Sequence, residues 1–441
     1  MRWLYVISAS ILMSLSATAQ INQCIAGRYS ESYYFDSSSI QVSPNVLYAV
    51  SKRWPSTVID SLRLDVFAPD TQDDSLAKRP FILLIHGGAF LSGNRQAMHY
   101  QCMEYARRGF VAATISYRLG WNCAATDLIG VCLFCQGENY KLKTATYRAT
   151  QDARAAMRYM YTHAADFGID TSWMFIGGES AGSITALHTA FWSQSEADSF
   201  ASWATNDVGL LDTAGNALSA NYSIKAVIDN CGAVSRDSVV LNNGQVPVIS
   251  FHDEGDCVVP NNAGQVISCT CQPFYWSWGS NSIHNILKNA NTCTEMNLVP
   301  LSINHCSYPA WNVVRHTSCF LKRMMCNDCR TDYSNDIYKA AQCDTLSSPV
   351  ASVIRFESES DFSVYPNPNS GTLYFDLSNL LYHAPLQVTI SSASGDVVAD
   401  SQNIQQADFS IEVKNLPAGI YFIAVSSQQQ IIANRKLILE P

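Results

Sequence analysis

The chain has 441 residues, 47% of them hydrophobic and 15% charged, with a net charge of −9. That length and apolar share leave room for two or three domains with cores of their own and exclude a disordered chain. With 28 Lys plus Arg against 37 Asp plus Glu and no basic run, nothing is positioned to neutralise a phosphate backbone, which argues against nucleic-acid binding.

Residues 1–19 read as a secretory signal peptide: Arg2 precedes an apolar stretch from Trp3 to Leu15, and Ala17-Thr18-Ala19 supplies the small residues of a cleavage site. The stretch is short of the roughly 20 apolar residues that span a bilayer, and no other segment reaches that length, so no transmembrane segment is expected. From Asn45 to about Tyr333, short β-branched runs alternate with helical patterns, which predicts an α/β fold around a mostly parallel sheet. Expected strands are Leu62–Phe67, Phe81–Ile85, Val111–Tyr117, Met174–Ile176, Ala226–Ile228, Val246–Phe251 and Leu298–Ile303. Ala149, Ala153, Ala156, Met157, Met160 and Ala164 recur at helical spacing before Gly168 and predict a crossover helix. Two insertions interrupt the alternation, at Trp121–Lys141 and Cys257–Gly279. The expected α/β domain covers 20–333. Residues 334–361, rich in Ser and Asp without a sustained period, read as a linker, and 362–441, with alternating runs between turn clusters, as a small all-β sandwich.

Gly178-Glu179-Ser180-Ala181-Gly182 matches the G-x-S-x-G nucleophile elbow, with an apolar strand running in and Ile184, Leu187 and Phe191 giving an apolar face to the segment running out. His86-Gly87-Gly88-Ala89-Phe90 directly follows an earlier buried strand. Glycines there let backbone N–H groups approach a developing oxyanion, and Gly87, Gly88 and Ala181 are the expected donors. A serine nucleophile needs a base and an orienting acid, in the chain order serine, acid, histidine. Among His188, His252, His284, His305 and His316, only His305 lies just past the end of a strand downstream of the acid segment. His188 falls inside the helix after the elbow, His252 precedes the acid, and His284 reads as a helix-surface or packing residue. Asp256, in His252-Asp253-Glu254-Gly255-Asp256, is the preferred acid; Asp253 and Glu254 are rivals on the same loop and Asp229 a more distant one.

Fifteen cysteines in an exported chain predict disulfides, with an odd thiol left over. Cys132/Cys135 and Cys326/Cys329 have C-x-x-C spacing, but without an interleaved histidine pattern they read as disulfide cysteines rather than metal ligands. Because Cys257 follows Asp256 and Cys306 follows His305, contact between acid and base predicts a Cys257–Cys306 bridge. The alternatives pair Cys257 with Cys269 or Cys271, and Cys306 with Cys293 or Cys319.

These motifs, with Leu64-Asp65-Val66-Phe67, Gly93, Tyr117-Arg118, Asp152–Tyr159, Phe167-Gly168-Ile169-Asp170 and Val259-Pro260, make residues 45–330 resemble the α/β-hydrolase carboxylesterases, in the branch spanning hormone-sensitive-lipase-like and type B enzymes. Two departures stand out: Asp253 replaces a usual glycine of the acid loop, and Ser183 replaces the glycine that often closes the serine motif. The resemblance implies ester hydrolysis without metal or organic cofactor. The tail, with Phe362–Pro368, Gly371, Leu416–Phe422 and Arg435-Lys436-Leu437, resembles the C-terminal sorting domain of the type IX secretion system of Bacteroidetes. That implies the secretion machinery as a partner and a secreted or cell-surface location; a carbohydrate-binding sandwich is the rival reading. The expected function is thus a secreted serine carboxylic-ester hydrolase acting on a small-molecule or polysaccharide-linked ester. Its alternatives are a polysaccharide-directed acetyl or feruloyl esterase and a catalytically inactive binding or adhesion protein on the same scaffold.

Overall fold

A run such as Arg79–Ile85, in which every residue is buried, is satisfied only inside a sheet covered on both faces. The computed structural model describes residues 23–121, 138–218, 221–242, 246–269, 274–347 and 362–440, the last with breaks at 370, 379, 381–384, 393–396, 414 and 428–429. The expected signal peptide lies outside the described residues, as do Cys123, Cys132, Cys135 and Cys271. The chain divides into two compact units, Met1–Ser348 and Pro349–Pro441.

In the first unit the strands are β1 (Ile40–Lys52), β2 (Ile59–Pro69), β3 (Arg79–Ile85), β4 (Val111–Ile115), β5 (Ile169–Glu179), β6 (Ile224–Asn230), β7 (Ala233–Val234), β8 (Val248–Asp253), β9 (Ala263–Gln265), β10 (Trp276–Gly279), β11 (Thr294–Val299) and β12 (Asp332–Ser334). Nine of them form one sheet in the order β1-β2-β4-β3-β5-β6-β8-β11-β12. β1 and β2 pair antiparallel, as do β2 and β4, and every later pairing is parallel. Register aligns the carboxyl ends: Ile85 lies beside Gly178, Glu179 beside Asn230, Asn230 beside Phe251 and Asp253 beside Val299. The loops that follow β3, β5, β6, β8 and β11 therefore all leave from one edge, the place where open α/β sheets bind ligands.

β1 has no counterpart among the expected strands. It is an edge strand with a mostly exposed pattern and Pro44 inside it, so it shows neither alternation nor an apolar run. β11 ends at Val299, short of the expected Ile303; Leu301 and Ile303 are apolar but exposed, and so prolong the hydrophobic run past the strand. Helix α1 spans His99–Arg107, α2 Asn139–Thr162 and α3 Ala181–Phe191. The expected linker begins later than predicted, because residues after β12 pack on the first unit. Cys343 is buried in a disulfide with Cys319, and Ser32 donates to Asp344 at 2.5 Å. Side-chain bonds hold this segment, and they impose no hydrophobic period.

The second unit pairs Ser363–Tyr365, Thr372–Asp376 and Asp408–Glu412 in one sheet and Leu386–Ser392, Val397–Ile404, Gly419–Ser427 and Gln430–Leu439 in another. Alternate residues such as Val388, Ile390, Ile423 and Val425 are buried in a common core with Leu373 and Phe375, the pattern of a β-sandwich.

At the other end of β3, Asp74 accepts from the Arg28 guanidinium at 2.8 Å and from Arg79 at 2.5 Å, with all three side chains buried. Burial opposes charge on Asp74, yet the two guanidiniums outweigh it and hold the carboxyl at about 2. Asp74→Ala leaves two buried cations without a counter-charge, so urea unfolding should show a loss of about 3–5 kcal/mol.

Candidate active site

Ser180 sits at φ 54°, ψ −119° between β5 and α3, a left-handed conformation that costs a non-glycine residue roughly 1–3 kcal/mol and persists only when its surroundings enforce it. The enforcement is steric and hydrogen-bonded. A Cβ on Gly182 would collide with the Ile85 carbonyl, and one on Gly178 with the backbone of Gly182. The two glycines thus allow the turn to press against the end of β3. Ser180 N–H donates to Asn230 O at 2.9 Å, and Ile184 N–H to Ser180 O at 2.9 Å.

Oγ then stands clear of the sheet and donates to His305 Nε2 at 2.7 Å, while His305 Nδ1–H donates to Asp256 Oδ2 at 2.6 Å. Asp256 Oδ1 accepts from the Val258 and Val259 amides at 2.8 and 3.1 Å. Burial works against its charge, but hydrogen bonds from His252 and His305 prevail and draw the carboxyl down to about 2. An ionised acid, a ring with its proton on Nδ1 and a free Nε2 facing a hydroxyl form the geometry for activating a serine.

The loop after β3 lies alongside. A Cβ on Gly87 would be 3.3 Å from Ser180 Cβ, and Gly88, Ala89 and Phe90 all have positive φ, at 109°, 52° and 61°. His86 stacks on Tyr117 with centroids 4.4 Å apart and donates through Nδ1 to Gly87 O at 2.7 Å; the Tyr117 hydroxyl donates to His86 O at 2.9 Å. Trp121 Nε1–H donates to Ala89 O at 2.8 Å. Ala181 opens α3, where a backbone N–H has no intrahelical acceptor.

The acid rivals have other tasks. Asp253 accepts the Ser307 amide at 2.8 Å, Glu254 accepts the Leu301 amide at 2.7 Å, and the Gly255 amide donates to Ser302 O at 2.7 Å. These bonds join the acid loop to a base loop whose residue Leu301 is 92% exposed. Asp229 is buried, accepting from Ser183, Ser250, Ser280 and the Gly232 amide. His188 accepts the Ser235 amide at 3.0 Å and stacks on Trp192 in the interior, where burial pushes its pKa down to about 3. His284 is buried against Thr294, a packing position, and His316 bridges Glu295 and Lys339 O. His252 is the group that reading the sequence passed over: it is buried, with Nε2 3.3 Å from Asp256 Oδ2. Its four-residue separation from Asp256 is a signal only once the loop is known to fold back.

The expected Cys257–Cys306 bridge is not formed. Cys257 pairs with Cys269 inside its own insertion, and Cys306 pairs with Cys231. Cys306 does lie at the base loop, as anticipated, but its partner follows β6, the neighbour of the serine strand. Cys326 and Cys329 pair with Cys24 and Cys293 rather than with each other, and Cys102 is free and buried. Non-reducing peptide mapping should recover a Cys231–Cys306 linked peptide. With the two 75 positions apart in the chain, loop entropy predicts that replacing both by Ser costs about 4 kcal/mol in denaturant unfolding.

Residues 14–202 match the carboxylesterase family model, and residues 363–440 match that of the secretion system C-terminal sorting domain. A neuroligin-like protein of Caenorhabditis elegans is 25% identical over 213 residues, 48% of this chain and 25% of its own length. The para-nitrobenzyl esterase of Bacillus subtilis (strain 168) is 31% identical over 162 residues, 34% of this chain and 29% of its own. The chain thus spans between a quarter and a third of the length of these curated relatives. Among solved structures, an esterase of the Planctomycetes species Thermogutta terrifontis is 18% identical with a TM-score of 0.38, over 61% of this chain and 86% of that one. A truncated carbohydrate esterase from gut microbiota is 18% identical with a TM-score of 0.42, over 67% and 99%. Both resemblances drawn from the motifs, to a carboxylesterase and to a sorting tail, are thus matched by family models; the family match and the nine-stranded order together identify an α/β-hydrolase fold.

Proposed function

We propose that the chain is an exported serine hydrolase of carboxylic esters. The observation that carries this reading is the continuous hydrogen-bonded chain from Ser180 through His305 to Asp256, at 2.7 and 2.6 Å. Ser180 Oγ attacks the ester carbonyl while His305 Nε2 takes its proton, and Asp256 holds the imidazolium that results. The carbonyl oxygen, now negative, is held by the N–H groups of Gly87, Gly88 and Ala181. His305 returns the proton to the departing alcohol, and a water activated by the same ring then cleaves the acyl-enzyme. Residues 362–441 serve as the export address read by the type IX machinery, in keeping with the sorting-domain match. The five disulfides found among the described residues suit a surface or extracellular location. Ser180→Ala should abolish ester turnover with folding intact, and a fluorophosphonate probe should label Ser180 alone; labelling that survives the substitution overturns the assignment.

The recess beside Ser180 favours a short acyl group, and so an acetyl rather than a feruloyl ester. Phe90, Leu142, Ile184, Val266, Ile267 and Tyr275 line it. Their bulk narrows the space beside Ser180, so a longer acyl chain meets packed side chains. One methylene in an apolar site is worth about 1–3 kcal/mol, so kcat/KM on p-nitrophenyl esters should fall about tenfold from acetate to propionate and further to butyrate. Leu142→Ala should raise the butyrate-to-acetate ratio about tenfold, while methyl ferulate stays a poor substrate of the unaltered enzyme.

A further inference from the structure

Behind the acid lies a second buried carboxylate, and His252 stands between the two. Its ring is 1% exposed. Nε2 is 2.9 Å from Val259 O and 3.3 Å from Asp256 Oδ2, both acceptors only, so Nε2 carries a proton. Nδ1 is 2.6 Å from Ser280 Oγ. Ser280 has one proton, and its Oγ also lies 2.6 Å from Asp229 Oδ2. If that proton goes to Asp229, the Ser280 oxygen offers His252 only lone pairs, and Nδ1 has to be protonated as well.

Charge favours this arrangement. The Asp229 and Asp256 side chains are wholly buried, and no Lys or Arg side chain among the described residues forms a salt bridge with either. An unpaired buried carboxylate costs several kcal/mol, whereas a cationic ring between the two offsets both. The charged or titratable groups on the elements around this cluster are Glu179 and Asp229 at the ends of β5 and β6, Asp253 at the end of β8, Asp256 after it and His305 on the base loop; the helix Ser280–Asn289 brings the Ser280 hydroxyl to His252 and carries buried His284 one turn on, against Thr294.

We propose that His252 is a positioning residue of the hydrolytic reaction: it stands as an imidazolium between Asp229 and Asp256, clamping the acid and drawing part of its charge away from His305. This rests on the reading of Ser180, His305 and Asp256 as nucleophile, base and acid. A change in how Asp256 divides its charge between the two rings is read in the acid limb of the kcat/KM profile.

The test is the pH dependence of kcat/KM for p-nitrophenyl acetate with the full chain. His252→Gln keeps an N–H group towards Asp256 but removes the charge, and should move the acid limb up by about one pH unit, beyond any uniform loss in the plateau. A role confined to packing lowers the plateau and leaves the limb in place, which overturns the proposal. Ser280→Ala reads the same coupling without touching the ring. Deprived of the oxygen that accepts Nδ1–H, His252 gives up that proton, and the limb should shift in the same direction; an unmoved limb in this variant also overturns the proposal. Nitrogen-15 spectra of the histidine-labelled protein should show a doubly protonated ring at pH 8 that is missing from His252→Gln, and its absence from the unaltered protein counts against the assignment. A wrong nucleophile shows itself differently, as turnover that survives Ser180→Ala.

Discussion

The close approach of the Ser180 turn to the end of β3 is the constraint on which the rest of the site depends. Gly178 and Gly182 leave no room for a Cβ between the turn and the Ile85–His86 backbone, and this contact pins Ser180 against the glycine loop after β3. The left-handed backbone of Ser180, Ala89 and Phe90 is the conformational cost, offset by the nine-stranded sheet beneath. Were the sheet register between β3 and β5 to slip by one residue, the serine and the glycine loop would part and every side chain of β5 would change face.

Around that contact the loops are joined by polar bonds rather than by an apolar core. Asp253, Glu254 and Gly255 reach across to Ser307, Leu301 and Ser302, and the Cys231–Cys306 disulfide secures the base loop from the other side. A loop as exposed as the one carrying Leu301 and Ile303 has little burial to order it, so its position comes from hydrogen bonds and a covalent tie. Both departures from the family pattern gain a physical reason here. Asp253 anchors the Ser307 amide, and Ser183 donates to Asp229 at 2.6 Å, so each substitution adds a polar group that the local network uses.

Much of this was legible in the residues. Buried strands such as Phe81–Ile85 announce themselves by continuous apolar runs, and the serine turn and glycine loop by glycines whose absence of a side chain is the whole point. His305 and Asp256 could be placed because each follows a strand whose carboxyl end lies on one edge of the sheet. The edge strand β1, the close of β11 and the packed segment after β12 were not legible, because exposed strands and side-chain-bonded coils leave no periodic signal. The pairing of Cys306 escaped for a related reason. Adjacency to His305 says which loop it is on, but which cysteine it meets depends on β6 lying between β5 and β8.

The sequence by itself determined the layered fold, the sandwich tail and the types of group that meet at the sheet edge, since these follow from local periodicity, glycine placement and chain order. Only the tertiary structure decided the contacts between loops: Asp253 facing Ser307, Cys231 facing Cys306, and His252 facing Asp256 on one side and Ser280 on the other. Those contacts join residues from 4 to 75 positions apart in the chain, and their orientation is set by sheet register and buried charge, which no single stretch of residues encodes.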